Sequence, residues 1–211
     1  MQISKDLCEF VGAVIGDGNL WTDGSRYRIA LTGDPKLDLS YFSYMRKLSY
    51  GLFSKEPYRF RVRYGGLRFI LQSKDAFNVF LKLEISRGKK ARNIIIPRAI
   101  MKKGWGYTKY VIRGIFDTDG TLFFSKKTYP KPIYPTLEIC TYSRNLALQL
   151  STVLKNRGFR VRLRGNLSRS KGYYVSLYGK EMLNKWINEI GFSNERHINK
   201  LARKNPNYTP Q

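Results

Sequence analysis

The sequence is poor in the residues that build most protein metal sites. It has two cysteines and one histidine in 211 residues. Structural zinc takes four Cys or His ligands, so such a site is excluded. A nuclease built on several histidines is excluded by the same shortage. Cys8 and Cys140 lie in apolar segments and are expected to be reduced core residues of an intracellular, cytoplasmic protein. No apolar run approaches the roughly eighteen residues of a membrane span. The N-terminus has no basic segment followed by an apolar stretch, so no secretory signal is expected. Acidic residues are scarce too, with 15 Asp plus Glu against 39 Lys plus Arg and a net charge of +24. A field of that sign attracts polyanions, and nucleic acid leads because each neutralised phosphate releases counterions. A membrane-surface protein is disfavoured, since no basic amphipathic helix stands out.

What is present is written twice. Phe10-Val11-Gly12-Ala13-Val14-Ile15-Gly16-Asp17-Gly18 is matched half a chain later by Ile112-Arg113-Gly114-Ile115-Phe116-Asp117-Thr118-Asp119-Gly120. Each is an apolar helical stretch with glycine near its middle and Asp-Gly at its end. Asp34-Pro35 and Ser143-Arg144 then open amphipathic helical patterns, carried by Leu37, Tyr41, Met45 and Leu48 in one copy and Leu146, Leu150 and Leu154 in the other. Phe60-Arg61-Val62-Arg63 recurs literally as Phe159-Arg160-Val161-Arg162. Its period of two predicts half-buried strands, with Phe60, Val62 and Tyr64 inward and the arginines outward. Gly65-Gly66 is expected to turn the first hairpin. Residues 19–21 with 27–31, and 121–124 with 136–140, read as a further strand pair in each copy.

The expected fold is therefore α+β, with two halves that each run helix, two strands, helix, two strands, helix. The halves are placed at 1–85 and 107–211, joined by a linker at 86–106 rich in Gly, Lys and Arg. Both motif helices are apolar nearly all round and must be buried. Packing them on each other places Gly12 and Gly16 against Gly114 and Thr118, where small residues permit close approach.

Asp17 and Asp119 end the two motifs, with Gly18 and Gly120 expected at a left-handed stop. A carboxylate is electrostatically misplaced at a helix C-terminus. Two of them converging from parallel helices raise a pKa or recruit a cation. Hard oxygen ligands favour Mg²⁺ completed by water and substrate phosphate. With a basic surface, the chemistry indicated is hydrolysis of phosphodiesters. Asp117 has Ile15 as its counterpart, so it reads as structural, and His197 reads as a packing residue.

At these residues the chain resembles the LAGLIDADG homing endonucleases in their single-chain, two-motif, archaeal intron-encoded form. The segments from Gly88-Lys89-Lys90 to Ile96-Pro97 and from Ile190-Gly191-Phe192 to His197 share in the resemblance. It implies duplicated αββαββα halves, two antiparallel four-stranded sheets forming a DNA-binding saddle, and two central motif helices. It implies a monomeric enzyme that cuts both strands of a long, asymmetric double-stranded DNA target and leaves short 3′ overhangs. Asp17 and Asp119 would be the catalytic, metal-holding residues, with Gly16 and Thr118 beside them, and Mg²⁺ or Mn²⁺ as the metal. The DNA surface would comprise Arg26, Arg28, Arg61, Arg63, Arg68, Gln72, Arg160, Arg162, Arg164 and Tyr173, with Lys126 and Lys127. Lys89, Lys90 and Lys200 are further candidates to complete the pockets. Two readings stand beside this one on the same fold: an intron RNA maturase and a non-cleaving DNA-binding regulator. A protein-splicing element is not expected, because no splicing domain fits beside the two motifs.

Overall fold

The structure is a computed structural model that describes residues 2–88, 92–165 and 172–204. The first half begins with α1 (Lys5–Ile15), which leads directly into the hairpin of β1 (Gly18–Thr22) and β2 (Tyr27–Gly33). It continues through α2 (Leu39–Phe53), β3 (Arg59–Arg63), β4 (Gly66–Gln72) and α3 (Lys74–Lys82). A short helix, α4 (Arg98–Met101), precedes the second copy. That copy comprises α5 (Trp105–Asp119), β5 (Gly120–Ser125), β6 (Tyr134–Thr141), α6 (Arg144–Asn156), β7 (Val161–Gly165), β8 (Tyr173–Tyr178) and α7 (Lys180–Glu189), followed by α8 (Glu195–Ala202). The sheets have the matching strand orders β1-β2-β4-β3 and β5-β6-β8-β7, antiparallel throughout.

Local sequence explains the helix starts. Ser4, Ser73 and Ser143 accept hydrogen bonds from Leu7, Ala76 and Leu146 N–H, which caps α1, α3 and α6. The Asp34-Pro35 segment behaves differently from expectation. Asp34 Oδ1 accepts from Lys36 and Leu37 N–H at 2.7 and 2.9 Å, and this local turn delays the helix to Leu39. Leu37 is consequently exposed rather than a core residue.

Alternation places Ile29, Leu31, Leu67, Phe69 and Leu71 under the first sheet and Leu122, Leu137, Ile139, Val175 and Leu177 under the second. The helices cover those apolar faces, with α2 and α3 on the first sheet and α6 and α7 on the second. The opposite face of each sheet is left open. Residues 86–106 contribute to the core through Ile94, Ile96 and Ile100. Gln149 fastens this segment by accepting from Ile96 N–H at 2.8 Å.

Two turn details depart from the sequence reading. The first hairpin turns on Tyr64-Gly65, at φ 51° and 75°, and Gly66 already pairs with Arg63. Tyr64 is therefore 85% exposed rather than inward. The Phe-Arg-Val-Arg repeat is also out of structural register. Phe60 pairs with Phe69 beneath Leu31, and the matching ladder under Ile139 sets Leu163 opposite Val175. Leu163, not Phe159, is thus the equivalent of Phe60. No helix among the described residues is long and apolar enough to cross a membrane.

Candidate functional site

The site is built on the contact between α1 and α5. A Cβ on Gly12 would lie 2.2 Å from Val111 O, and one on Gly114 would lie 2.3 Å from Glu9 O. Only glycine lets the two backbones meet there. The contacts advance together along both helices, from Glu9 against Gly114 to Gly16 against Thr118, so the helices run parallel. Thr118 turns its hydroxyl onto Gly114 O and Ile115 O of its own helix, at 2.9 and 3.1 Å. Parallel packing brings both motif ends to the same side of the molecule.

Each motif then passes into a strand without a left-handed stop. Gly120 is extended, at φ −85° and ψ 156°, and Gly18 is not among the positive-φ glycines. Their requirement is space. A Cβ on Gly18 would stand 2.5 Å from Val14 Cα, and one on Gly120 would stand 2.5 Å from Phe116 O. The chain folds back onto its own helix, which leaves Asp17 and Asp119 at the bend.

Asp17 and Asp119 line one cavity of about 470 Å³, together with Gly16, Gly18, Cys140 and Tyr142. A Cβ on Gly16 would sit 3.6 Å from Asp119 Cγ, so the second carboxyl lies against the end of the first motif. Cys140 is half-buried on the open face beside this cavity, not in the core, whereas Cys8 is fully buried. Burial and the Asp119 charge raise the Cys140 thiol pKa. A second cavity of about 500 Å³ lies on the other side of Asp119 and is bordered by Lys36, Arg196, Lys200 and Arg203. Lys89 and Lys90 follow Gly88 of the first cavity and lie outside the described residues.

The cavities suit a hard divalent cation. Among the described residues no group of three or more His, Cys, Asp or Glu side chains comes together. Mg²⁺ needs no such group, since it commonly uses one or two carboxylates with water and phosphate oxygen. Asp17 and Asp119 are the two carboxylates lining the first cavity, which has room for a phosphate.

A buried polar network, missed by the sequence reading, fixes the second motif. Arg196 Nη2 donates to Thr118 O at 2.6 Å, and the same guanidinium pairs with Asp38 at 3.2 Å. Asn194 Nδ2 donates to Asp38 Oδ1 at 2.8 Å and to Asp117 O at 2.9 Å. Asp38 belongs to the first half and Asn194 to the second, so the network also ties the halves together. Asp117 is fully buried and accepts from Ser193 N–H at 2.7 Å. Burial pushes its carboxyl up to about 8. His197, packed against the rings of Phe116 and Phe192, is pushed down to about 3 by burial and then by Arg196 and Lys200. Between the motif helices, buried Glu9 pairs with Arg113 and accepts from Tyr44 Oη at 3.0 Å.

The open faces carry most of the outward residues named from sequence. Arg28, Arg68 and Gln72 share a face with Arg61 and Arg63, since Arg28 pairs with Gln72 and Arg61 with Arg68. Arg59 joins them opposite Ile70. Arg162 and Arg164 lie opposite Ser176 and Tyr174 on the second sheet. Tyr173 is misassigned: it pairs with Thr141 on the helix-covered face, and Tyr174 takes the open face instead. Arg160 precedes β7 and forms a two-pronged pair with Glu181, at 2.9 and 2.7 Å. Arg164 is held by Glu138 at 2.6 Å, and Arg26 by Asp23 at 2.9 Å. Lys127 sits 3.4 Å over the ring of Tyr134, and Lys126 adjoins it in the β5–β6 connection.

Residues 107–191 match the family model described as the LAGLIDADG-like domain. The fold match to I-DmoI in complex with DNA and Mn extends over both halves, covering 91% of this chain and 99% of that one, with TM-score 0.66 and 18% identity. The second half is a LAGLIDADG-like domain, and the chain as a whole has the fold of I-DmoI. I-WcaI bound to its DNA recognition sequence has the same fold, with TM-score 0.61 and 13% identity over 94% of this chain and 87% of that one. Both halves thus have fold counterparts in these solved structures. Among curated proteins, the replication factor C small subunit of Thermococcus kodakarensis is 28% identical over 95% of this chain and 22% of its own length. The tRNA-splicing ligase RtcB of Pyrococcus furiosus is 25% identical over 88% of this chain and 21% of its own length. The chain therefore spans about a fifth of the length of these relatives.

Proposed function

We propose that this LAGLIDADG chain is a site-specific, metal-dependent DNA endonuclease that cuts both strands of a long, asymmetric target and leaves short 3′ overhangs. One observation carries the reading: Asp17 and Asp119 reach a single cleft from two parallel helices, between two sheets whose open faces bear arginine. The DNA-bound structures of the same fold support it. So do relatives named for two different activities that contain the matching segment as a minor part of their length. Such a distribution suits a module that moves between genes.

In this mechanism the arginines of the open faces hold the duplex by its phosphates and read base edges. Asp17 and Asp119 would hold Mg²⁺, or Mn²⁺ in its place, beside the scissile phosphates. When bound there, such a metal would supply Lewis-acid polarisation and lower the pKa of its water. Lys36 and Lys200, at the rim of the second cavity, place positive charge near a phosphate entering beside Asp119. Arg196 acts through the backbone, keeping the α5–β5 bend in place. Different residues on the two open faces make the two half-sites unequal.

Selection of cleaved sequences from a randomised duplex pool, in Mg²⁺ and in Ca²⁺, tests the reading. One long asymmetric sequence cut in Mg²⁺ is the expected result. Binding without cutting in every metal would instead support a non-cleaving regulator, or a maturase if structured intron RNA binds more tightly than DNA.

A further inference from the structure

Trp21 and Phe123 are exposed on the open faces, at 44% and 38%, while Leu20 and Leu122 beside them in the same strands are buried. They are equivalent positions. Gly18 pairs with Leu31 and Trp21 with Arg28 in one sheet, as Gly120 pairs with Ile139 and Phe123 with Thr136 in the other. Each therefore follows its motif aspartate at the same distance along the first strand. The pseudo-two-fold axis that relates the motifs also relates these two rings.

Trp21 has a cationic neighbour. The Arg28 guanidinium lies 5.1 Å from its ring and 5.7 Å from that of Tyr58. A large ring stacked by a guanidinium is poorly suited to an apolar protein partner. The strongly positive chain supplies the complementary partner, a polyanion whose groove has an apolar feature. In the major groove the largest such feature is the thymine C5 methyl, since beside it only small ring C–H edges are neither donors nor acceptors. Phe123 has no polar side-chain atom, so the methyl is the base-edge feature it can favour.

We propose that Trp21 and Phe123 read thymine through its C5 methyl, at two positions symmetric about the centre of the target and on opposite strands. This rests on the open faces being the DNA surface, and it adds a symmetric pair of contacts to an otherwise asymmetric site.

The test uses the full chain in Ca²⁺ and a duplex that it selects. Each thymine is replaced singly by deoxyuridine, which removes the methyl and leaves every hydrogen-bonding group. Two symmetric replacements are expected to weaken wild-type binding about fourfold, the worth of one buried methyl. Trp21→Ala should lose sensitivity at one position and Phe123→Ala at the other. Trp21→Leu and Phe123→Leu, which keep an apolar side chain, serve if either alanine variant folds poorly. Equal deoxyuridine sensitivity in wild type and variants would overturn the proposal, as would sensitivity at positions not related by the dyad. If wild type selects no duplex at all, the DNA reading fails and this one with it.

Discussion

Gly12 and Gly114 meet across the two motif helices so closely that a Cβ on Gly12 would be 3.0 Å from Gly114 Cα. Neither neighbour in that contact is a side chain that could swing aside. Gly12→Ala and Gly114→Ala should each cost about 2 kcal/mol or more, because the helices must separate to admit the methyl. Gly106→Ala, in open space on α5, should be neutral or stabilising by up to about 1 kcal/mol. Denaturant unfolding of the three variants measures this, and equal stabilities would mean that the helices do not touch here.

Glu9 and Arg113 place an ion pair inside the same interface. Glu9→Leu leaves Arg113 charged and poorly solvated, and should destabilise by about 3 kcal/mol. Adding Arg113→Met should recover most of that loss, since the buried charge goes with it. A double variant no better than the single one would show that the pair is not energetically coupled.

Asp117 gives stability a pH dependence with a definite sign. Its folded pKa of about 8 lies above the ordinary 3.8, so the unfolded chain binds fewer protons between those values. Its contribution is fully present below pH 3.8 and is lost as pH rises toward about 8, by up to ~1.4 kcal/mol per unit. His197 opposes it: with a folded pKa of about 3 against 6.5, its contribution is lost as pH falls below 6.5. Asp117→Asn removes the first effect. The variant's stability relative to wild type should rise steadily with pH between those Asp117 values, measured by urea unfolding. A difference independent of pH would show that Asp117 is ionised when folded.

Arg61 and Arg160 look alike in the sequence repeat and should behave differently. Arg61 stands on the open face without an acidic side chain opposite it, whereas Arg160 is clasped by Glu181. Arg61→Ala should weaken DNA binding and reduce the slope of log affinity against log salt by about one if it holds a phosphate. Arg160→Ala should change neither by much. Titrations at several salt concentrations separate the two.

The duplication was legible because it rests on local patterns. Glycine and aspartate recur at fixed places, strand faces alternate with period two, and Ser143 announces a helix through its own hydroxyl. Strand register was not legible. Phe159 repeats Phe60 in sequence, but pairing across the sheet sets Leu163 in that place, and the same kind of cross-strand fact puts Tyr174 rather than Tyr173 on the open face. The glycines after the aspartates followed a familiar helix-stop pattern in sequence, while their actual constraint is contact with Val14 and Phe116. The Asp38–Asn194–Arg196 network joins residues distant in the chain, and no local periodicity marks it.

The pairing of Asp17 with Asp119 is best tested on one selected duplex, with Asp17→Asn and Asp119→Asn made separately. Binding in Ca²⁺ and cutting in Mg²⁺ are followed side by side. Binding is expected to stay within about threefold of wild type while each variant loses double-strand cutting, a drop of about a hundredfold or more for a lost metal ligand. Double-strand cutting at the wild-type rate by either variant would contradict that pairing.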